Sequence, residues 1–230
     1  RSVGVWTLRV SASLPDADRA MLVSMAMESA DPVVRLRAAK AVRAWAECPG
    51  RERLLATIAS DRFMPIRREA LYAVLDDAPE RCRAFLRAAL LDRHASMRHA
   101  AMSYLTAPPE KAGESLDTRT FYLGALAAGK SADQAAAILG VGECGTQADA
   151  ERLVPFAEDD RPMVAAAAVR AVAALDRDHR VDWFVELLRD GRPAVAREAG
   201  RALELLGNAA PVEALRDVLR GSSRGLSRRY

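Results

Sequence analysis

An apolar residue that opens a run of helix-forming residues recurs along this chain at nearly constant intervals: Val34, Ile66, Met97, Val164 and Val195. The steps between them are 32, 31, 67 and 31 residues. A period of that length marks an array of supersecondary units, none of which can bury its apolar face alone, so stacked neighbours share one continuous core. The step of 67 spans two periods, and Ser131-Ala132-Asp133-Gln134 followed by AAAILG supplies a degenerate unit between them. Ser131 and Gln134 have the spacing of a capping box.

Each unit reads as two helices. Ahead of the opening residue stands an aspartate or a turn, at Asp31, Asp61, Asp92, Asp159-Asp160 and Asp190. A carboxylate there is placed to accept the free N–H groups of a first helical turn, and a proline such as Pro32 loses no hydrogen bond at a helix start. Seven first helices carry apolar residues three and four apart, among them Leu54, Leu55 and Ile58, then Phe184, Leu187 and Leu188, and finally Leu215, Val218 and Leu219. Breakers at Cys48-Pro49-Gly50, Asp76 to Pro79, Gly142 to Gly145, Asp176 to Asp178 and Gly207-Asn208 read as hairpin turns. The expected fold is all-α: a right-handed α-solenoid of about six antiparallel helical hairpins, one domain over residues 1–220. An irregular loop at about 106–117, containing Pro108-Pro109, interrupts it, and residues 221–230 read as a basic, flexible tail.

Composition agrees with helices packed tightly behind charged faces, since half of the residues are apolar and only 5% are aromatic. A net charge of +3, from 34 basic and 31 acidic residues, argues against a protein built mainly to neutralise phosphates. The charge is unevenly spread: residues 1–105 hold 17 basic and 12 acidic side chains, residues 106–220 hold 14 and 19. Cys48, Cys82 and Cys144 are far apart and lack ligand spacing, so they read as thiols of a reducing compartment. The first fourteen residues lack the basic region and apolar run of a signal peptide, and the longest apolar stretch, Met163 to Val169, is too short to span a bilayer. The expectation is a cytoplasmic protein with no membrane partner.

The pattern apolar-Arg-x-x-Ala, explicit in IRREALYAVL (66–75) and MRHAAMSYL (97–105), and the linked pair ILGVGECGTQADAERLVPFAEDDRP (138–162), resemble HEAT repeats. The likeness is to the short bacterial variety first named from phycobilisome lyases, and it extends over roughly residues 15 to 220. It implies a ladder in which the arginine after the apolar residue, here Arg35, Arg67 and Arg98, pairs with aspartates of its own or the next hairpin. Ala165 and Ala196 hold the equivalent places later on, so the ladder is expected to stop about halfway. The same repeat serves scaffolds, adaptors, lyase subunits and a class of DNA glycosylase, so function has to be argued from the residues.

Those residues give no catalytic, cofactor or metal constellation. His94, His99 and His179 are scattered, Asp76-Asp77 and Asp159-Asp160 stand in turns where acids complement helix dipoles, and no HExxH string occurs. Trp45 and Trp183 fall in apolar stripes, and Trp6 in a possible capping segment. The reading that remains is a non-catalytic scaffold with a concave groove lined by second helices. Its candidate residues are Arg37, Lys40, Arg68, Tyr72, Arg98, Met102, Arg170, Arg197 and Arg201. Arginine, tyrosine and methionine suit an acidic peptide or protein partner. Nucleic acid is the second reading, because basic residues cluster on second helices, although aromatics for base stacking are missing; a chromophore-lyase-like role is the third.

Overall fold

A computed structural model of the chain describes residues 14–45, 50–76, 79–106, 115–129, 133–207 and 211–226. All regular structure among them is helical. The chain divides into two compact units, Arg1–Leu116 and Asp117–Tyr230, where the sequence suggests one domain over 1–220; the division falls at the irregular loop around 106–117. Trp6, Cys48-Pro49, Asp77-Ala78, most of that loop, Ser131, Asn208 and the last four residues lie outside the described residues.

The first unit holds three hairpins: α1 (Asp16–Met27) with α2 (Pro32–Arg43), α3 (Arg51–Ala59) with α4 (Met64–Leu75), and α5 (Pro79–Leu90) with α6 (Ala95–Leu105). The second unit repeats the plan with α7 (Thr118–Ala127) and α8 (Gln134–Cys144), α9 (Gln147–Leu153) and α10 (Pro162–Asp176), and α11 (Val181–Leu187) and α12 (Pro193–Glu204). A last first-type helix, α13, runs Val212–Leu226, so the segment set aside as a tail begins inside a helix. Within each hairpin the two helices touch, and successive second helices touch each other, α2 on α4 on α6 and α8 on α10 on α12. This is the layout of an α-solenoid. The first helix of the fifth hairpin is short because Pro155 has no N–H to continue it, and Val154–Glu158 finishes as a 3₁₀ turn.

The opening residues sit where the period places them: Ile66, Met97, Val164 and Val195 are buried. Around them alanines fill the space between hairpins, with Ala38, Ala70, Ala101, Ala168 and Ala199 all fully buried. In the second unit the helices approach more closely still. A Cβ on Gly140 would lie 2.2 Å from the buried Tyr122 ring, and one on Gly142 would lie 2.8 Å from the Ala171 backbone. No helix is long and apolar enough to cross a membrane among the described residues.

The turn aspartates work differently from the expected helix caps. Of the five turns named for that role, only Asp31 stands at a helix N-cap, accepting the Val33 N–H at 2.8 Å. Asp61, Asp92, Asp159 and Asp190 lie two residues earlier and close Asx-turns, each accepting the N–H of the residue two places on, Phe63, His94, Arg161 and Arg192. Ser29 does the same for Asp31 through its hydroxyl.

Candidate functional site

The Asx-turn leaves most of each carboxylate free for a second partner. In the first unit that partner comes from the preceding hairpin. Arg35 on α2 donates through Nε to Asp61 Oδ2 at 2.7 Å, and through Nη1 to the carbonyls of Ser29 and Ala30 in its own turn. Arg67 on α4 repeats the arrangement, with Nε and Nη2 on Asp92 at 2.7 and 2.8 Å and Nη1 on the carbonyls of Asp61 and Arg62. Arg98 on α6 donates to the Asp92 carbonyl at 2.7 Å. Arg35 and Arg67 each tie two turns together. Burial pushes the Asp61 and Asp92 carboxyls up, but the arginine and backbone hydrogen bonds more than offset this and leave both below the ordinary value of 3.8.

The ladder does not stop at the halfway point; it changes donors. Arg119 on α7 grips Asp149 on α9 with two hydrogen bonds of 2.7 Å, and those bonds, reinforced by the Thr146 N–H and hydroxyl, hold the Asp149 carboxyl far below the usual range. Alanine does fill the old arginine slot, yet the N-cap positions Arg161 and Arg192 take over. Each folds onto the aspartate two residues before it, and then reaches backward along the array. Arg192 donates to the carbonyls of Ala157 and Asp159, and Arg161 to Gln134 Oε1. Hydrogen bonds from Arg161 bring the Asp159 carboxyl down to about 2. The string Asp-x-Arg-Pro, present at 159–162 and 190–193, carries this second version.

The ladder decides which cations remain for a partner. Arg98, named above as a groove residue, is 1% exposed, so it belongs to the ladder and is closed to a ligand. Arg37, Lys40 and Arg68 are exposed, and Tyr72 and Met102 are half-buried on the same second helices of the first unit. Lys40 and Tyr72 stand at the same place in successive repeats, six residues after Val34 and Ile66. Arg43 reaches from α2 across to α4, donating to Asp76 at 3.1 Å and Glu69 at 3.5 Å, with its guanidinium 4.8 Å from the Tyr72 ring centre. In the second unit Arg170, Arg197 and Arg201 are exposed, but α12 also carries Glu198 and Glu204, and Glu198 binds Arg201 at 2.6 Å.

The remaining chemistry-bearing residues are spread over both units. His94 is the N-cap residue of α6 and His99 is exposed on that helix. His179 Nδ1 lies 2.9 Å from Asp176 Oδ1, within a cluster where Gln147 and Arg180 also hold that carboxylate. Trp45 and Trp183 are half-buried, the first under Arg19 and the second against Phe184. Cys144 donates its thiol to the Gly140 carbonyl, and burial raises its pKa. Gly140, Gly142 and Gly145 spell GxGxxG, and residues 221–225 spell GxSxG. Neither string, nor the GxxxxGKS spelled by residues 124–131, has the strand-to-helix setting its chemistry needs, since the first closes α8, the second lies within α13 and the third begins within α7.

Stacked antiparallel hairpins with short turns define a class, the helical-repeat proteins. A family model of HEAT repeats matches residues 150–229, from within α9 through α13. The described residues are accordingly all-α, and the matched stretch is similar to HEAT repeats. No curated protein matches the sequence.

Proposed function

We propose that this chain is a non-catalytic interaction scaffold whose first unit holds an acidic peptide or protein segment against its second helices. The observation that carries the reading is an imbalance of charge. Helices α2, α4 and α6 hold seven arginines and lysines against a single carboxylate, Glu69. The turn aspartates neutralise Arg35 and Arg67 beneath the surface, while Glu69 and Asp76 hold Arg43. Arg37, Lys40 and Arg68 are left exposed, with no carboxylate partner among the described residues. On α8, α10 and α12 basic and acidic residues nearly balance, so the first unit is the better place for an anionic partner.

The test is binding of a labelled glutamate-rich peptide, and of labelled duplex and single-stranded DNA, at about 50 and 200 mM salt. The scaffold reading expects peptide binding that Lys40→Glu with Arg68→Glu abolishes, and little DNA binding. Tight DNA binding that falls by orders of magnitude between the two salts would replace it with nucleic-acid recognition.

A further inference from the structure

Tyr72 is the one aromatic among the residues six places after an opening residue; Lys40, Ser103, Arg170 and Arg201 occupy the other places. Its ring is already ordered. Arg43 lies 4.8 Å from the ring centre and Arg68 lies 5.9 Å from it, one guanidinium from the neighbouring hairpin and one from the preceding turn of α4. Arg43 is in turn fixed by Glu69, whose side chain is only 9% exposed, and by Asp76. The two arginines therefore differ in role. Arg43, with its charge answered twice, acts as a wall that sets the ring, while Arg68 is exposed with no carboxylate partner among the described residues, and Lys40 holds on the adjacent α2 the place that Tyr72 holds on α4.

We infer that Tyr72, Arg68 and Lys40 form the anchoring point of this surface, and that it takes a carboxylate side chain of an acidic polypeptide segment. This rests on the scaffold reading and makes it specific. Tyrosine and arginine dominate binding hot spots because they offer large contacts at low ordering cost, and here the stacked guanidiniums have already ordered the ring. A phenol O–H and two cations can each hydrogen-bond one carboxylate, and charge-assisted bonds of that kind are the strong ones. Nucleic acid fits less well, since a base would have to displace an arginine to stack on a ring that already carries two.

The experiment is fluorescence anisotropy with the full chain and a fluorescein-labelled helical peptide bearing glutamate at every fourth residue, with its glutamine counterpart as control. Tyr72→Phe should weaken binding about tenfold through loss of the hydroxyl, and Tyr72→Ala about a hundredfold. The glutamine peptide should not bind. If both tyrosine variants bind like the parent while Lys40→Glu with Arg68→Glu does not, the anchor is overturned and the scaffold reading stands. If the parent does not distinguish the glutamate peptide from the glutamine one, both fall. Tyr72→Phe keeps the ring and its packing, so it reports on the hydroxyl even where Tyr72→Ala unfolds.

Discussion

Arg67 stands on the second helix of one hairpin, yet its guanidinium pairs with Asp92 in the turn of the next, with Nε and Nη2 at 2.7 and 2.8 Å. Both side chains are nearly closed to solvent, at 6% and 11% exposure. Removing one member of such a pair strands the other in a poorly solvated site. Arg67→Ala is expected to destabilise the protein by about 3–5 kcal/mol, measured by denaturant unfolding. A loss within 1 kcal/mol, about what an exposed ion pair is worth, would show that the ladder adds little.

Arg98 should behave as a ladder residue. Arg98→Ala is expected to lower the melting temperature while the folded fraction binds the acidic peptide as the parent does. Lys40→Glu should do the reverse, leaving melting nearly unchanged and binding weakened. Calorimetric melting beside anisotropy titration separates the two.

That contrast marks how far the sequence could be read. The period, the hairpins and the fourth, degenerate unit followed from Val34, Ile66, Met97, Val164 and Val195, because apolar spacing reports directly on burial. Arg98 shares its slot with Arg35 and Arg67, and that identity alone could have removed it from the binding surface. The second ladder was also present in the sequence, as Asp-x-Arg-Pro, but a search for arginine only after the opening residue passes it by. The stacking on Tyr72 was not legible. It depends on Arg43 reaching across from another hairpin, and such distances are set by packing rather than by local spacing.

Gly140 is held to the absence of a side chain by the Tyr122 ring. A Cβ there would overlap ring atoms at 2.2 to 2.4 Å, and the tyrosine is fully buried with little room to give. Gly140→Ala should therefore destabilise the second unit by roughly 1–3 kcal/mol, despite alanine's better helix propensity. An increase in melting temperature would mean that the helices can separate at no cost.

Acid should loosen the array. Asp61, Asp92, Asp149 and Asp159 all titrate below their ordinary value of 3.8 when folded, Asp159 at about 2. Groups depressed in the folded state contribute stability that is fully present above their unfolded value and lost as pH falls toward the folded one. The melting temperature should thus change little from these groups between about pH 7 and 5 and drop below about pH 4. Asp149→Asn should lower stability at neutral pH and flatten the acid slope. An unchanged slope in that variant would contradict the assignment.

The most direct measurement is a map of where an acidic peptide lands: amide chemical shifts of isotope-labelled protein during titration with the glutamate peptide. The account predicts shifts concentrated on α2 and α4, around Arg37, Lys40, Arg68 and Tyr72, with the ladder residues and second unit little changed. Shifts confined to the first helices α1, α3 and α5, or to the second unit, would contradict it.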